Sequence, residues 1–330
     1  ALEDKCTSCH APMGRFDKFL SGGGHYSMLE LVNDPIAQDG VSCLACHMQS
    51  PDSSGLLFSG NQKYDTTGVL YGPYSDVFGA PMESFVGYNP IHGDHIVDAG
   101  LCAGCHTLIT ETADLNGNPS GDHFVEQATY HEWLNSAFNT DADPESGLSC
   151  QACHMPRIDD GIIISALYDF LTPRSPFGKH ELVGGNVFML KLLKGNIDEL
   201  MLTSSSQKFD STIARTTRML QQHTLMLEPT VIDRTPETAF IDVKLTNLAG
   251  HKFPSGYPSR RAFLEVQVKD QAGNTIFRSG NWGPDYEVVG HDADYEPHYD
   301  VITSQDQAQI YEMVMADVNG DKTTVLERAK

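Results

Sequence analysis

The sequence predicts a loop-rich, short-helix domain over residues 1–200 joined to an antiparallel β-sandwich over residues 201–330. Three observations predict this fold class. All eight cysteines lie at or before Cys153, in four pairs of identical spacing. The chain between those pairs is rich in Gly, Pro, Ser and Tyr and has little periodicity, as loop does. From Thr238 onward apolar and polar residues alternate with period two, the pattern of half-buried strands. A length of 330 residues also favours two cores over one.

The four pairs carry the chemistry. Cys6-Cys9-His10, Cys43-Cys46-His47, Cys102-Cys105-His106 and Cys150-Cys153-His154 each read C-x-x-C-H, the attachment signature of a c-type haem. Two thiols add across the vinyl groups, and the next side chain, histidine, falls under the iron as its proximal ligand. Zinc ribbons and redox dithiols also use C-x-x-C. Neither explains a histidine directly after every pair, and four disulfides would leave those histidines idle. The first domain therefore reads as a multihaem cytochrome c with four covalent haems. The macrocycles supply much of its apolar core, which is why so little of the chain is regular.

Covalent attachment needs reduced thiols on the outer side of a membrane, so an extracellular or cell-surface location is expected, with the periplasm as alternative. The chain opens at Ala1 with no charged segment followed by an apolar one, the expected form after signal-peptide removal. No run of 18 apolar residues is present, so membrane insertion is not expected. A net charge of −22 makes nucleic acid and anionic membrane surfaces poor partners. Four ferric haems with their propionates take the total to about −26, and four ferrous ones to about −30.

In chain order, two motifs come first, joined by the glycine turn Ser21-Gly22-Gly23-Gly24-His25. Short helices are predicted over Tyr26–Asn33, before Asp34-Pro35, and over Val125–Phe138. The stretch from Tyr26 to Cys43 resembles that from Tyr130 to Cys150, down to Met48 and Met155 after the histidines, which suggests duplication of a two-haem unit. A helix is predicted around Asn186–Lys194, and Ile213–Leu227 reads as either helix or strand. Strands follow at Phe240–Leu245 and Phe263–Val268. The turn Asp270-Gln271-Ala272-Gly273-Asn274 leads into another to Phe277, and a last pair covers Ala308–Ala316 and Thr323–Leu326.

Four stretches carry a family resemblance: Asn247-Leu248-Ala249-Gly250-His251-Lys252-Phe253-Pro254-Ser255-Gly256-Tyr257-Pro258-Ser259-Arg260-Arg261, Tyr295-Glu296-Pro297-His298-Tyr299-Asp300, Ser175-Pro176-Phe177-Gly178-Lys179-His180, and His95 shortly before the third motif. With four haem motifs at this size, the chain resembles the tetrahaem extracellular cytochromes that polymerise into filaments, the cytochrome nanowires. The resemblance implies a homopolymer that exchanges electrons with redox partner proteins or extracellular acceptors. No short motif encodes the polymerisation itself.

Six-coordinate iron needs four further axial ligands. With the proximal four set aside, ten of the 14 histidines remain. His95 is the first choice, because Asp94-His95-Ile96 opens the segment leading to the third motif. His180 follows, with Gly178 allowing close backbone approach to a macrocycle, and then His251, between Gly250 and Pro254. The fourth place lies between His25, on the glycine turn, and His298, stiffened by Pro297. The resemblance favours His251 and His298, whereas proximity to the motifs favours His25. Methionine is the chemical competitor, but Met48 and Met155 cannot reach back across the ring held by the adjacent histidine. Arg157, Arg174, Arg260 and Arg261 are natural partners for propionates.

Electron transfer without chemistry on a substrate is therefore expected, in a filament or, as alternative, in a monomeric shuttle. A multihaem oxidoreductase of the nitrite or hydroxylamine type would need one open iron beside acid–base groups. No motif is marked as different, so no catalytic residue is assigned.

Overall fold

The structure, a computed structural model, describes residues 2–330. The chain forms two compact units. The first comprises Ala1–Leu57, Gln62–Gly104 and Tyr130–Lys252, and the second Phe58–Asn61, Cys105–Thr129 and Phe253–Lys330. The sequence places the division at 200/201; the structure groups residues 225–247 with the first unit and residues 105–129 with the second. The strands between the third and fourth motifs account for much of this difference.

In the first unit, Pro12 at the start of a helix and an apolar stripe generate Pro12–Leu20, which follows the motif helix Leu2–His10. Ser27 and Glu30 form a reciprocal capping box, so the next helix begins at Met28 and runs to Asn33, two residues later than the sequence predicts. Asp34 caps the following turn, Pro35–Gln38. Ala11, Tyr26 and Ala37 make a small buried cluster with Leu31 packed against it. The Tyr26 hydroxyl donates to Asp34 Oδ2 at 2.6 Å and its backbone N–H to Asp4 Oδ1 at 2.8 Å. Burial first, and then the Asp34 carboxylate, push the Tyr26 phenol far above its ordinary value.

Further along, Val187–Gly195 is capped by Asn186 and Ser206–Met219 by Ser205. Ile213–Leu227 resolves into both alternatives: helix to Met219, a π-helical turn Leu220–Thr224, then strand. That strand, Leu225–Arg234, pairs antiparallel with Ala239–Asn247. Leu227–Leu245, Pro229–Val243 and Val231–Ile241 are opposed on one face, while Glu228–Lys244 and Thr230–Asp242 oppose each other on the other. Most of both faces is exposed.

In the second unit, Leu108–Ala113 pairs with Pro119–Gln127 across a turn carrying Asn116-Gly117. The helix expected over Val125–Phe138 is thus confined to Thr129–Leu134, because Val125 and Gln127 pair with Ile109 and Leu108 instead. Arg261–Phe263 pairs with Ile310–Glu312, Val266–Lys269 with Thr275–Ser279, and Met315–Ala316 with Lys322–Thr323. Val288, Ala308 and Ile310 form its buried centre, with Phe263 against them. Where the sequence predicts a sandwich, strands pair two by two, and among the described residues every sheet is two-stranded. Among them, too, no helix is long and apolar enough to cross a membrane.

Candidate haem-ligating site

Each C-x-x-C-H run lies on a helix that ends at its histidine: Leu2–His10, Cys43–His47, Gly100–His106 and Cys150–His154. Residues three and four apart share one helical face. The two thiols and the imidazole of each motif therefore project to one side, as a single macrocycle requires. The second and fourth motifs are built alike. Ser42 and Ser149 stand as extended N-caps before five-residue helices, and Met48 and Met155 follow. The resemblance of their flanking sequences thus extends to local conformation.

The likeness continues at the imidazoles. His47 Nδ1 donates to the Tyr71 carbonyl at 2.6 Å, and His154 Nδ1 donates to the Val183 carbonyl at 2.6 Å. A carbonyl can only accept, so Nδ1 carries a proton, and in the neutral ring Nε2 then keeps its lone pair, the form that binds a metal. Burial, the largest influence, holds the His154 imidazole below its ordinary value; the Val183 bond raises it and nearby His251 lowers it further. Neutral imidazole is the ligating state.

Each of these rings lies near a second histidine. The His47 and His180 centroids are 6.2 Å apart with 31° between planes, and those of His154 and His251 are 6.4 Å apart with 17°. Imidazole nitrogens bind first-row metals at about 2 Å, and the ring centre lies roughly 1 Å further, so two trans imidazoles on one iron have centres about 6 Å apart. Both pairs match that separation, and the donor set fits haem. His180 and His251 are thus brought beside His47 and His154.

Local sequence explains how. Gly250 precedes His251 at φ +66°, and a Cβ there would lie 3.1 Å from Phe138 Cδ2. Only glycine takes both the conformation and the contact without strain. The Phe138 carbonyl accepts from Leu148 N–H at 2.9 Å, just ahead of the fourth motif. Lys252 N–H donates to Glu132 at 3.1 Å, and Asn247 Nδ2 to the His251 carbonyl at 2.6 Å. His251 Nδ1 donates to the Lys252 carbonyl at 2.8 Å, leaving its own Nε2 lone pair available.

The other three candidates stand elsewhere. His95 is 8% exposed, and its Nε2 donates to the Gln49 carbonyl at 2.8 Å while its ring meets Tyr71 edge-on at 4.8 Å. His25 bonds Asp4 through Nδ1 at 2.5 Å and lies 3.3 Å from Glu3 through Nε2, on the helix of the first motif. His298, in the second unit, is exposed and edge-on to Tyr311 at 5.5 Å. His10 is exposed, and among the described residues its side chain makes no hydrogen bond, ion pair or ring contact; His106 is exposed at its helix end.

Three of the arginines read from the sequence as propionate partners are held by other groups of the chain. Arg174 bonds the Asp76 carboxylate and carbonyl and lies over the Tyr74 ring at 4.7 Å. Arg261 meets Glu287 at 2.6 Å, Glu312 at 2.8 Å and Glu296. Arg260 Nη1 donates to the Ser255 carbonyl at 2.8 Å. The fourth motif is anchored by Gln151, whose Nε2 donates to the Asp98 carbonyl at 2.7 Å and the Ile96 carbonyl at 3.1 Å. A hydrogen bond from Cys102, the largest influence, lowers the Cys150 thiol, bringing the first cysteines of the third and fourth motifs together.

The Tyr71 and Val183 carbonyls are the site groups that sequence reasoning misses. Backbone acceptors have no residue type that announces them. No protein-family model, curated protein or solved structure matches the chain.

Proposed function

We propose that the protein transfers electrons through four covalently bound c-type haems and works as the repeating subunit of an extracellular filament. The observation that carries this reading is the pairing of His47 with His180 and of His154 with His251 at the separation of trans ligands on one iron. Haem bound there supplies a reversible one-electron couple. The chain's own groups then have defined tasks. Cys43, Cys46, Cys150 and Cys153 would tether haem, His47, His180, His154 and His251 would hold its iron, and the Tyr71 and Val183 carbonyls accept from Nδ1 of His47 and His154, orienting both rings.

At the second and fourth motifs a paired histidine would leave no open iron position for a substrate, which favours electron transfer over a nitrite or hydroxylamine converter there. The exposed apolar face of the 225–247 ribbon supports self-association over a monomeric shuttle, since apolar faces left in water seek cover. A reductive titration followed by optical and magnetic spectra tests the reading. Four electrons per chain with every haem low-spin is the expected result. A high-spin haem in the native protein would favour the enzyme.

A further inference from the structure

Four consecutive residues serve two of the sites at once. His180 faces His47 of the second motif, and three residues later the Val183 carbonyl takes the Nδ1 proton of His154 in the fourth. Between them Leu182 adopts φ +45°, in the left-handed region that a branched side chain avoids. Its side chain is 61% exposed, so packing of that side chain does not hold the conformation. What holds it is the fixing of its neighbours. Val183 is 3% exposed. The Glu181 carboxylate is largely buried and gripped by Lys179 Nζ at 3.0 Å and Arg215 Nε at 3.5 Å. Burial opposes that grip, but the lysine contact wins and keeps the Glu181 carboxyl below its ordinary value.

The segment's N-terminal end is tied to the fourth motif as well. Phe177–Gly178 pairs with Arg157–Ile158, which follows His154 almost directly, and Lys179 N–H donates to the Pro156 carbonyl at 3.0 Å. A strained residue persists only where its surroundings over-determine it, and such strain gathers at functional sites.

Resting on the haem reading, we propose that His180–Val183 is a positioning brace that couples the second and fourth haems. It sets the trans imidazole of one iron and the hydrogen bond behind the proximal imidazole of the other. A stronger bond at Nδ1 makes the ligand more basic, and a displaced trans imidazole weakens its own iron bond, so one movement of the brace changes both couples. The two haems therefore do not respond independently to a change in this segment.

The test uses the haem-loaded full chain and two variants of Leu182. Leu182→Pro cannot take a positive φ, whereas Leu182→Gly takes it freely. The proline variant is expected to retain four haems by mass and to shift the midpoint potentials and low-spin magnetic signatures of two haems of the four. The glycine variant restores the native values. A shift confined to one haem, or to none, overturns the brace. So does a glycine variant as perturbed as the proline one. If Leu182→Pro yields no loaded protein, Glu181→Gln, which releases the Lys179 and Arg215 grip, is read in the same way: two haems shifting together upholds the coupling, and one or none refutes it. A native protein without haem sinks the haem reading itself, an outcome distinct from all of these.

Discussion

At the scale of single residues, the axial pairs predict separable spectroscopic outcomes. Replacing His180 or His251 by alanine removes one trans ligand and is expected to turn one iron of four high-spin in each variant. His298→Ala is expected to leave the spectrum unchanged, because among the described residues His298 stands edge-on to Tyr311 and no motif histidine is paired with it. Optical and magnetic spectra of the three variants check this. Gly250→Ala should act on the same site from behind. Its positive φ costs a residue with a Cβ about 1–2 kcal/mol, and the added carbon meets Phe138. The expected result is a lower Tm and an altered signature at one haem, without loss of haem. The four C-x-x-C-H runs are legible in the sequence because their cysteines and histidine stand in fixed order along the chain. Which further histidines lie beside them is only partly legible. His180 and His251 are marked by nearby glycines, yet the same reasoning ranks His95 first, and the structure places it against the Gln49 carbonyl. A trans ligand needs only proximity in space, which leaves no spacing rule along the chain.

At the scale of elements, the helix Met28–Asn33 makes a pH prediction. Glu30 receives Lys18 Nζ at 2.7 Å and the Ser27 backbone N–H at 2.9 Å, and its carboxyl is pushed down to about 2, the lysine contact contributing most. A carboxylate with a depressed folded value stabilises above its unfolded value and loses that contribution as pH falls through the folded one. The capping box should therefore weaken as pH drops from about 4.5 towards about 2, and Glu30→Gln should flatten that part of the stability profile. Thermal unfolding of both proteins across this window measures it. The 225–247 ribbon makes a second prediction. An isolated two-stranded hairpin is marginally stable in water, and this one leaves its apolar face exposed. Its amides should exchange rapidly in dispersed subunits and become protected on assembly. Equal exchange in both states would remove the ribbon from the interface. Elements with local signals are legible: the helix around Asn186–Lys194, the Asp270–Asn274 turn and the strand over Phe240–Leu245. The strand Pro119–Gln127 was missed although Asn116-Gly117 announces a hairpin turn, because the apolar spacing of Val125–Phe138 also suits a helix. How strands group into sheets was not legible, since strand partners are chosen by contacts distant in sequence.

For the whole molecule, charge sets the conditions of assembly. The chain alone carries −22 and haem propionates would add to it, so copies of the chain would repel unless salt or bound cations screen them. Electron microscopy and sedimentation at moderate salt should show filaments that loosen as salt is withdrawn; discrete monomers throughout would leave the shuttle. The filament, the axial pairs and the brace all depend on haem at the C-x-x-C-H motifs. Intact mass of the denatured native protein tests that dependence most directly, because thioether bonds survive unfolding. The predicted result is the mass of the 36.2 kDa chain plus four haems. The bare chain mass, fewer haems, or stoichiometric zinc in the native protein would contradict it.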